Sequence, residues 1–144
     1  MPDLAPKLLP LLRAHHLWFH GAHHAASGPA FVGDHALYGD AYAAFDGWFD
    51  EAAELLVPVE GIGITDPAKL EPAVFAVLST LPKTAALAAD ALAKAALDRV
   101  VTAEAEVVAA VKALDAMRRS SCATPRRKSS TAMSPSYKLG RRVA

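Results

Sequence analysis

Residues 23–54 read HHAASGPAFVGDHALYGDAYAAFDGWFDEAAE, and a short break divides them into two helical patterns. The break is Ser27-Gly28-Pro29, and glycine next to proline is a strong signal for a turn. Histidines lie before and shortly after this turn, and aromatic and acidic residues follow at helical spacing. The segment therefore predicts two helices joined by a turn, with histidines near the turn and carboxylates farther along.

Two long helices extend from this turn. Apolar residues recur near helical spacing from residue 4 to about residue 24, although Pro10 indicates a true start near that position. A second broad apolar face covers residues 34–56, with Asp34 as the expected N-cap. Pro58 is expected to end this helix, because the residue before a proline disfavours the helical conformation.

The rest of the chain predicts two more helices and a tail. Asp66 followed by proline is typical of a helix start and predicts a short helix over residues 67–80. Pro82 is expected to open a long helix to about Arg119, since residues 83–124 contain neither glycine nor proline. This order predicts an all-α bundle with a short extra helix in its central connection. Residues 119–144 lack the pattern of a fourth bundle helix and predict a flexible tail after a helical domain over residues 1–118.

The net charge of zero hides a strong asymmetry along the chain. Residues 1–117 carry 15 acidic and 7 basic side chains, whereas residues 118–144 carry 8 basic side chains and no acidic one. An acidic body attracts cations, and a basic tail attracts phosphates or the acidic surface of a neighbouring subunit.

Composition also bounds the compartment. Cys122 is the single cysteine, so no internal disulfide can form and a reducing compartment is expected. The sequence shows no secretory signal and no apolar run long enough to span a membrane. The sequence therefore predicts a cytoplasmic protein without a membrane partner.

The histidines are clustered, since all six lie within the first 35 residues. Those expected on one face of the first helix are His16, His20 and either His23 or His24. The acidic residues at the same spacing on the second helix are Asp46, Asp50 and Glu54. Imidazoles and carboxylates on facing helices are ligands for iron, and also for zinc or manganese. The alternative explanation is a solvated acidic face beside solvent-facing histidines.

The segment from His23 to Glu54 resembles the signature of the Dps family, the miniferritins of the ferritin-like superfamily. In that family a histidine ends the first helix, a turn and a phenylalanine follow, and a second histidine stands 12 residues after the first, as it does here. An aspartate and a glutamate follow 15 and 19 residues after that second histidine. The matching residues here are His23, Gly28-Pro29, Phe31, His35, Asp50 and Glu54.

The resemblance implies a fold, a reaction and an assembly. It implies a ferritin-like bundle that oxidises Fe²⁺ with hydrogen peroxide or dioxygen, stores the ferric product and protects DNA from oxidative damage. His23 and His35 would bind the metal from one subunit, and Asp50 and Glu54 from a second copy across a two-fold axis. The implied assembly is a homodimer within a dodecamer.

The chain departs from the family pattern near the second histidine. The family has an acidic residue four positions after it, where this chain has Gly39 followed by Asp40. His24 stands where the family commonly has a tryptophan. Asp40 and His24 are therefore further candidate ligands.

Two other functions stay open. A ferritin-like protein without a complete iron site would act as a structural or DNA-binding protein. Its contacts to DNA phosphates would come from a basic cluster consisting of Arg118, Arg119, Arg126, Arg127 and Lys128. Alternatively, a small helical protein would bind zinc or another metal through His16, His20 and His23.

Overall fold

The computed structural model describes residues 5–122, with the side chains of residues 7–112 and 116. Every regular element in this range is helical, which confirms the all-α class. The α-helices are α1 (Ala5–Ala25), α2 (Phe31–Glu60), α3 (Pro67–Leu78) and α4 (Ala89–Cys122). Short 3-10 turns, Ile62–Thr65 and Thr84–Ala86, precede α3 and α4. The predicted flexible tail, which also stands in place of a fourth bundle helix, covers residues 119–144. Helix α4 includes residues 119–122, and residues 123–144 lie outside the described part of the chain.

The predicted first helix over residues 4–24 is confirmed, but neither Pro10 nor Pro58 marks a helix boundary as expected. Helix α1 begins at Ala5 and contains Pro10. The missing N–H of Pro10 removes one helical hydrogen bond near the N-terminus of the helix. Helix α2 continues past Pro58 to Glu60 and ends at Gly61, which has a φ of 90°. The start of α2 also differs, because Ala30 is the N-cap and Asp34 lies in the first turn. There its carboxylate is favoured by the positive end of the helix dipole.

The start of α3 matches its prediction, and the start of α4 does not. Asp66 caps α3 by accepting a hydrogen bond from the Ala68 amide at 3.1 Å, with Pro67 in the first turn. Helix α4 begins at Ala89 rather than Pro82 because contacts with α1 hold the intervening segment as a loop. The Trp18 indole donates to the Pro82 carbonyl at 2.8 Å.

Helix α1 is the centre of the fold and packs against α2, α3 and α4. It runs antiparallel to α2, as contacts between Arg13 and Asp46 near one end and between His23 and His35 near the other show. Because α1 is covered from several directions, it supplies much of the core. Its buried apolar residues include Leu8, Leu9, Leu12, Trp18, Phe19 and Ala22.

The other helices leave apolar surface uncovered. Helix α4 buries only part of its apolar face, at Leu92, Ala96 and Ala103. Four of its valines, Val100, Val101, Val108 and Val111, are exposed. An apolar groove of about 530 Å³ runs between α2 and α4. The groove is lined by Ala41, Ala44, Phe45, Trp48, Val100, Ala103, Glu104, Val107 and Val108. Among the described residues, no helix is long and apolar enough to cross a membrane.

Candidate metal centre

The turn between α1 and α2 brings His23 and His35 together. Gly28 makes this turn with a φ of 82°, and the Phe31 amide donates to the Gly28 carbonyl at 3.1 Å. The two imidazole rings stack with centroids 3.6 Å apart and planes inclined by 30°. Two residues that are 12 positions apart in sequence therefore form one pair at the open end of the hairpin.

Each ring of this pair is held by the other residue's backbone. His23 Nδ1 lies 2.8 Å from the His35 carbonyl oxygen, and His35 Nδ1 lies 3.0 Å from the His23 carbonyl oxygen. A carbonyl oxygen only accepts hydrogen bonds, so each Nδ1 carries the proton and donates it. The neutral form of each ring then has its lone pair on Nε2, which is the state in which histidine binds a metal ion.

Other aromatic rings surround this pair. Tyr42 of α2 has its ring centroid 5.5 Å from that of His23 and 4.9 Å from that of His20. Phe31 packs beside His35 at a centroid distance of 5.1 Å. Sequence reasoning missed the role of Tyr42, although its antiparallel position opposite the histidine face of α1 was a usable signal. These rings restrict the motion of the two imidazoles.

Gly39 lies directly against His23. A Cβ atom built on Gly39 would meet Nδ1 of His23 at 3.4 Å and Cε1 at 3.5 Å, which are ordinary van der Waals distances. A side chain at this position would therefore stand next to the ring of His23 without a clash. The position four residues after His35 therefore lies next to His23, and glycine places no side chain there. The neighbouring Asp40 is exposed.

The predicted carboxylate ligands lie elsewhere on α2. Asp50 and Glu54 are exposed, and they follow His35 by 15 and 19 residues. At 1.5 Å per residue, they lie about 22 Å and about 28 Å along the helix axis. One chain therefore does not place its own Asp50 and Glu54 on the same ion as its histidine pair.

Asp46, the remaining acidic residue of the predicted stripe, lies opposite the first half of α1 because the two helices are antiparallel. Asp46 Oδ1 accepts from the Arg13 guanidinium at 2.8 Å and lies 3.6 Å from His16 Nδ1. Of the acidic stripe that was expected to face the histidines, only this residue does so. The antiparallel hairpin places the later carboxylates beyond the histidines, opposite the first turns of α1. Within the described residues, no three His, Cys, Asp or Glu side chains are grouped to hold a metal ion.

Comparisons with known proteins give this geometry no further context. No protein-family model matches the chain, and the searches found no similar protein among curated sequences or solved structures. The chemistry of the site is therefore argued from its own residues.

Most residues of the basic cluster that was predicted to contact DNA lie outside the described part of the chain. Arg118 and Arg119 lie on the last turns of α4, where only the backbone is described. Arg126, Arg127 and Lys128 lie outside the described residues.

Proposed function

We propose that this chain is a ferritin-like subunit of the Dps type, which oxidises Fe²⁺ with hydrogen peroxide or dioxygen and stores the ferric product. The observation that carries the proposal is the stacked pair of His23 and His35. Both Nδ1 atoms are committed to backbone carbonyls, so both Nε2 atoms offer lone pairs to a cation. Zinc or manganese would bind the same imidazole and carboxylate ligands in place of iron.

A second copy of the chain would complete the site. Because Asp50 and Glu54 are too far from the histidine pair along the same helix, their partners would be the histidines of a neighbouring subunit. In a two-fold symmetric contact, residue i meets residue j and residue j meets residue i. Two antiparallel copies of α2 would thus create two equivalent sites. The exposed small residues Ala36, Ala43 and Gly47 would let the two helices approach closely.

The ligand set suits the oxidation of iron, which is the substrate. Imidazole nitrogens bind Fe²⁺, and carboxylates offset the additional charge when the ion becomes ferric. Each Fe²⁺ gives up one electron, and one hydrogen peroxide molecule takes two electrons and two protons to leave as two water molecules. In a closed dodecameric shell the ferric product would collect inside. Removal of iron and peroxide together would protect DNA in the cytoplasm.

The kinetics of Fe²⁺ oxidation test this proposal. We expect His35→Ala to slow oxidation by at least tenfold, since one of two imidazole ligands is lost, and to leave the helical content unchanged. His16→Ala is the matched control, because His16 Nδ1 also lies near a carbonyl across the hairpin, that of Tyr42 at 3.1 Å. Equal oxidation rates in the wild type and in His35→Ala would refute the assignment of the site.

Gly39 favours a second candidate function, a ferritin-like structural or DNA-binding protein without a complete iron site. Glycine removes the carboxylate expected beside the histidine pair. The basic residues of the C-terminal region would then contact DNA phosphates, and the protein would associate with the nucleoid. DNA retardation without iron, lost when residues 118–144 are deleted, would support this function. Rapid oxidation of iron by the same preparation would argue against it.

A further inference from the structure

A second histidine pair lies on α1 beside the pair assigned above, with the ring centroids of His23 and His24 5.1 Å apart. His20 and His24 are separated by four residues and are both exposed. Their ring centroids lie 4.9 Å apart, and the two Nε2 atoms are 3.3 Å apart. The two rings therefore converge through the nitrogen atoms that would bind a metal, at the surface of the protein.

We propose that His20 and His24 form a separate binding site for a nitrogen-preferring divalent transition metal, represented by Zn²⁺. Zinc binds histidine nitrogens at about 2.0–2.1 Å in tetrahedral geometry, which places two ligand nitrogens about 3.3–3.4 Å apart. The Nε2 atoms of this pair already have that separation. Two histidines four residues apart on a helix are also the spacing of known helical zinc sites.

The neighbouring groups favour a cation at this position. Without a metal, the short nitrogen–nitrogen contact requires one ring to donate from Nε2 and the other to accept. Zinc takes both lone pairs, and the displaced proton moves to Nδ1 of its ring by exchange with water. The exposed rings leave space for water molecules as the remaining ligands. The excess of acidic residues in the helical body further favours cations over anions.

His16 distinguishes this pair from a general histidine face. It also stands four residues from His20, but the centroids of these rings are 6.1 Å apart, and His16 Nδ1 lies 3.1 Å from the Tyr42 carbonyl. The geometry thus selects His20 with His24 rather than His20 with His16. The site needs no second copy, and its ligands are His20 and His24 rather than the His23 and His35 of the proposed iron site.

Titration of the full chain with Zn²⁺ by calorimetry, without iron, tests the site. We expect His20→Gln and His24→Gln each to lower the affinity of one zinc site by at least tenfold, because each removes one of its two histidine ligands. His16→Gln is the matched control and should leave that affinity within twofold of the wild type. Glutamine favours helix about as well as histidine does, and circular dichroism checks that each variant folds.

Nuclear magnetic resonance of the histidine side chains locates the ion directly. In the wild type, the Nε2 signals of His20 and His24 should shift as Zn²⁺ fills this site. Unchanged zinc affinity in both variants, or a loss only in His16→Gln, would overturn the assignment. Zinc binding that is lost only in His23→Gln and His35→Gln would also overturn it, while supporting the other histidine pair as a metal ligand.

Discussion

Burial of Nε2, rather than hydrogen bonding at Nδ1, distinguishes the histidines of this chain. His23 and His35 donate from Nδ1 to each other's carbonyl oxygens, which fixes both rings and leaves Nε2 for a metal. His15 lies close to the Leu11 carbonyl through the same nitrogen, but it is only 1% exposed, and its buried Nε2 has no hydrogen-bond partner. Histidines on α1 thus differ in their surroundings, since His15 packs in the core and His23 belongs to the pair that we propose binds metal.

Restoring a carboxylate at position 39 should improve the iron site. In Gly39→Asp the new side chain would start 3.4 Å from Nδ1 of His23 and would add an oxygen ligand beside the histidine pair. We expect the initial rate of Fe²⁺ oxidation to rise several-fold. Gly39→Asn, which has the same size without the negative charge, is the control and should stay close to the wild-type rate. A slower Gly39→Asp would contradict the placement of the ion next to His23.

His15 should make the fold sensitive to mild acid. Burial lowers the pKa of His15 below its ordinary value of 6.5. As the pH falls through 6.5, the unfolded chain protonates first, so the free energy of unfolding decreases until the lower folded-state pKa is reached. In His15→Met this contribution is absent. Urea unfolding at about pH 7.5 and about pH 5.5 should therefore show a smaller loss of stability in the variant than in the wild type. An equal loss in both proteins would contradict this role of His15.

The connection between α1 and α2 is the element that aligns the histidine pair. Gly28 has a φ of 82°, a conformation that side chains with a Cβ rarely adopt, and its Cβ would also lie 3.4 Å from that of Ala89. Gly33, a few residues later, is helical and has no atoms within 4 Å of its Cβ position. One short segment therefore contains a glycine that the backbone requires and another that it does not.

Alanine substitution should separate these two glycines. Gly28→Ala should lower the free energy of unfolding by about 1–2 kcal/mol, because alanine is strained at this φ. Gly33→Ala should raise it by about 0.4–1 kcal/mol, because alanine loses less conformational entropy in a helix. Chemical denaturation of both variants measures the difference. Equal effects at the two positions would show that the turn does not constrain the hairpin.

The existence of the helices could be predicted from local patterns, whereas several of their boundaries could not. The Asp66 cap and the break at Gly28-Pro29 act within a few residues, so their positions are visible in the sequence. The start of α4 depends instead on a bond from Trp18 to the Pro82 carbonyl, between residues 64 positions apart. The predicted end of α2 at Pro58 was also wrong, because the helix tolerates one missing hydrogen bond in its last turn.

The candidate site shows the same division between local and long-range information. Family spacing was sufficient to single out His23 and His35, and the structure places them in contact. Their reciprocal bonds to backbone carbonyls depend on the register of the hairpin and on ring rotation, which spacing does not encode. The convergence of the Nε2 atoms of His20 and His24 likewise depends on side-chain rotamers.

The whole molecule has features that fit assembly into an oligomer. Exposed apolar residues on α4 include Leu97, Val100, Val101, Val108 and Val111, and Trp48 of α2 is 49% exposed beside the groove. Exposed apolar side chains that line a groove, as Trp48, Val100 and Val108 do, are typical of interaction sites. It accords with the proposal that Asp50 and Glu54 act on the histidine pair of another copy.

Subunit mixing tests the shared site most directly. One variant combines His23→Gln with His35→Gln, and the other combines Asp50→Asn with Glu54→Gln. Each alone should lack rapid Fe²⁺ oxidation, since every site in it misses half of its ligands. After the two are unfolded and refolded together in equal amounts, half of the dimers should be hybrids with one complete site each, which gives about a quarter of the wild-type rate. Failure of the mixture to regain activity, or full activity in either variant alone, would contradict an iron site shared between two copies.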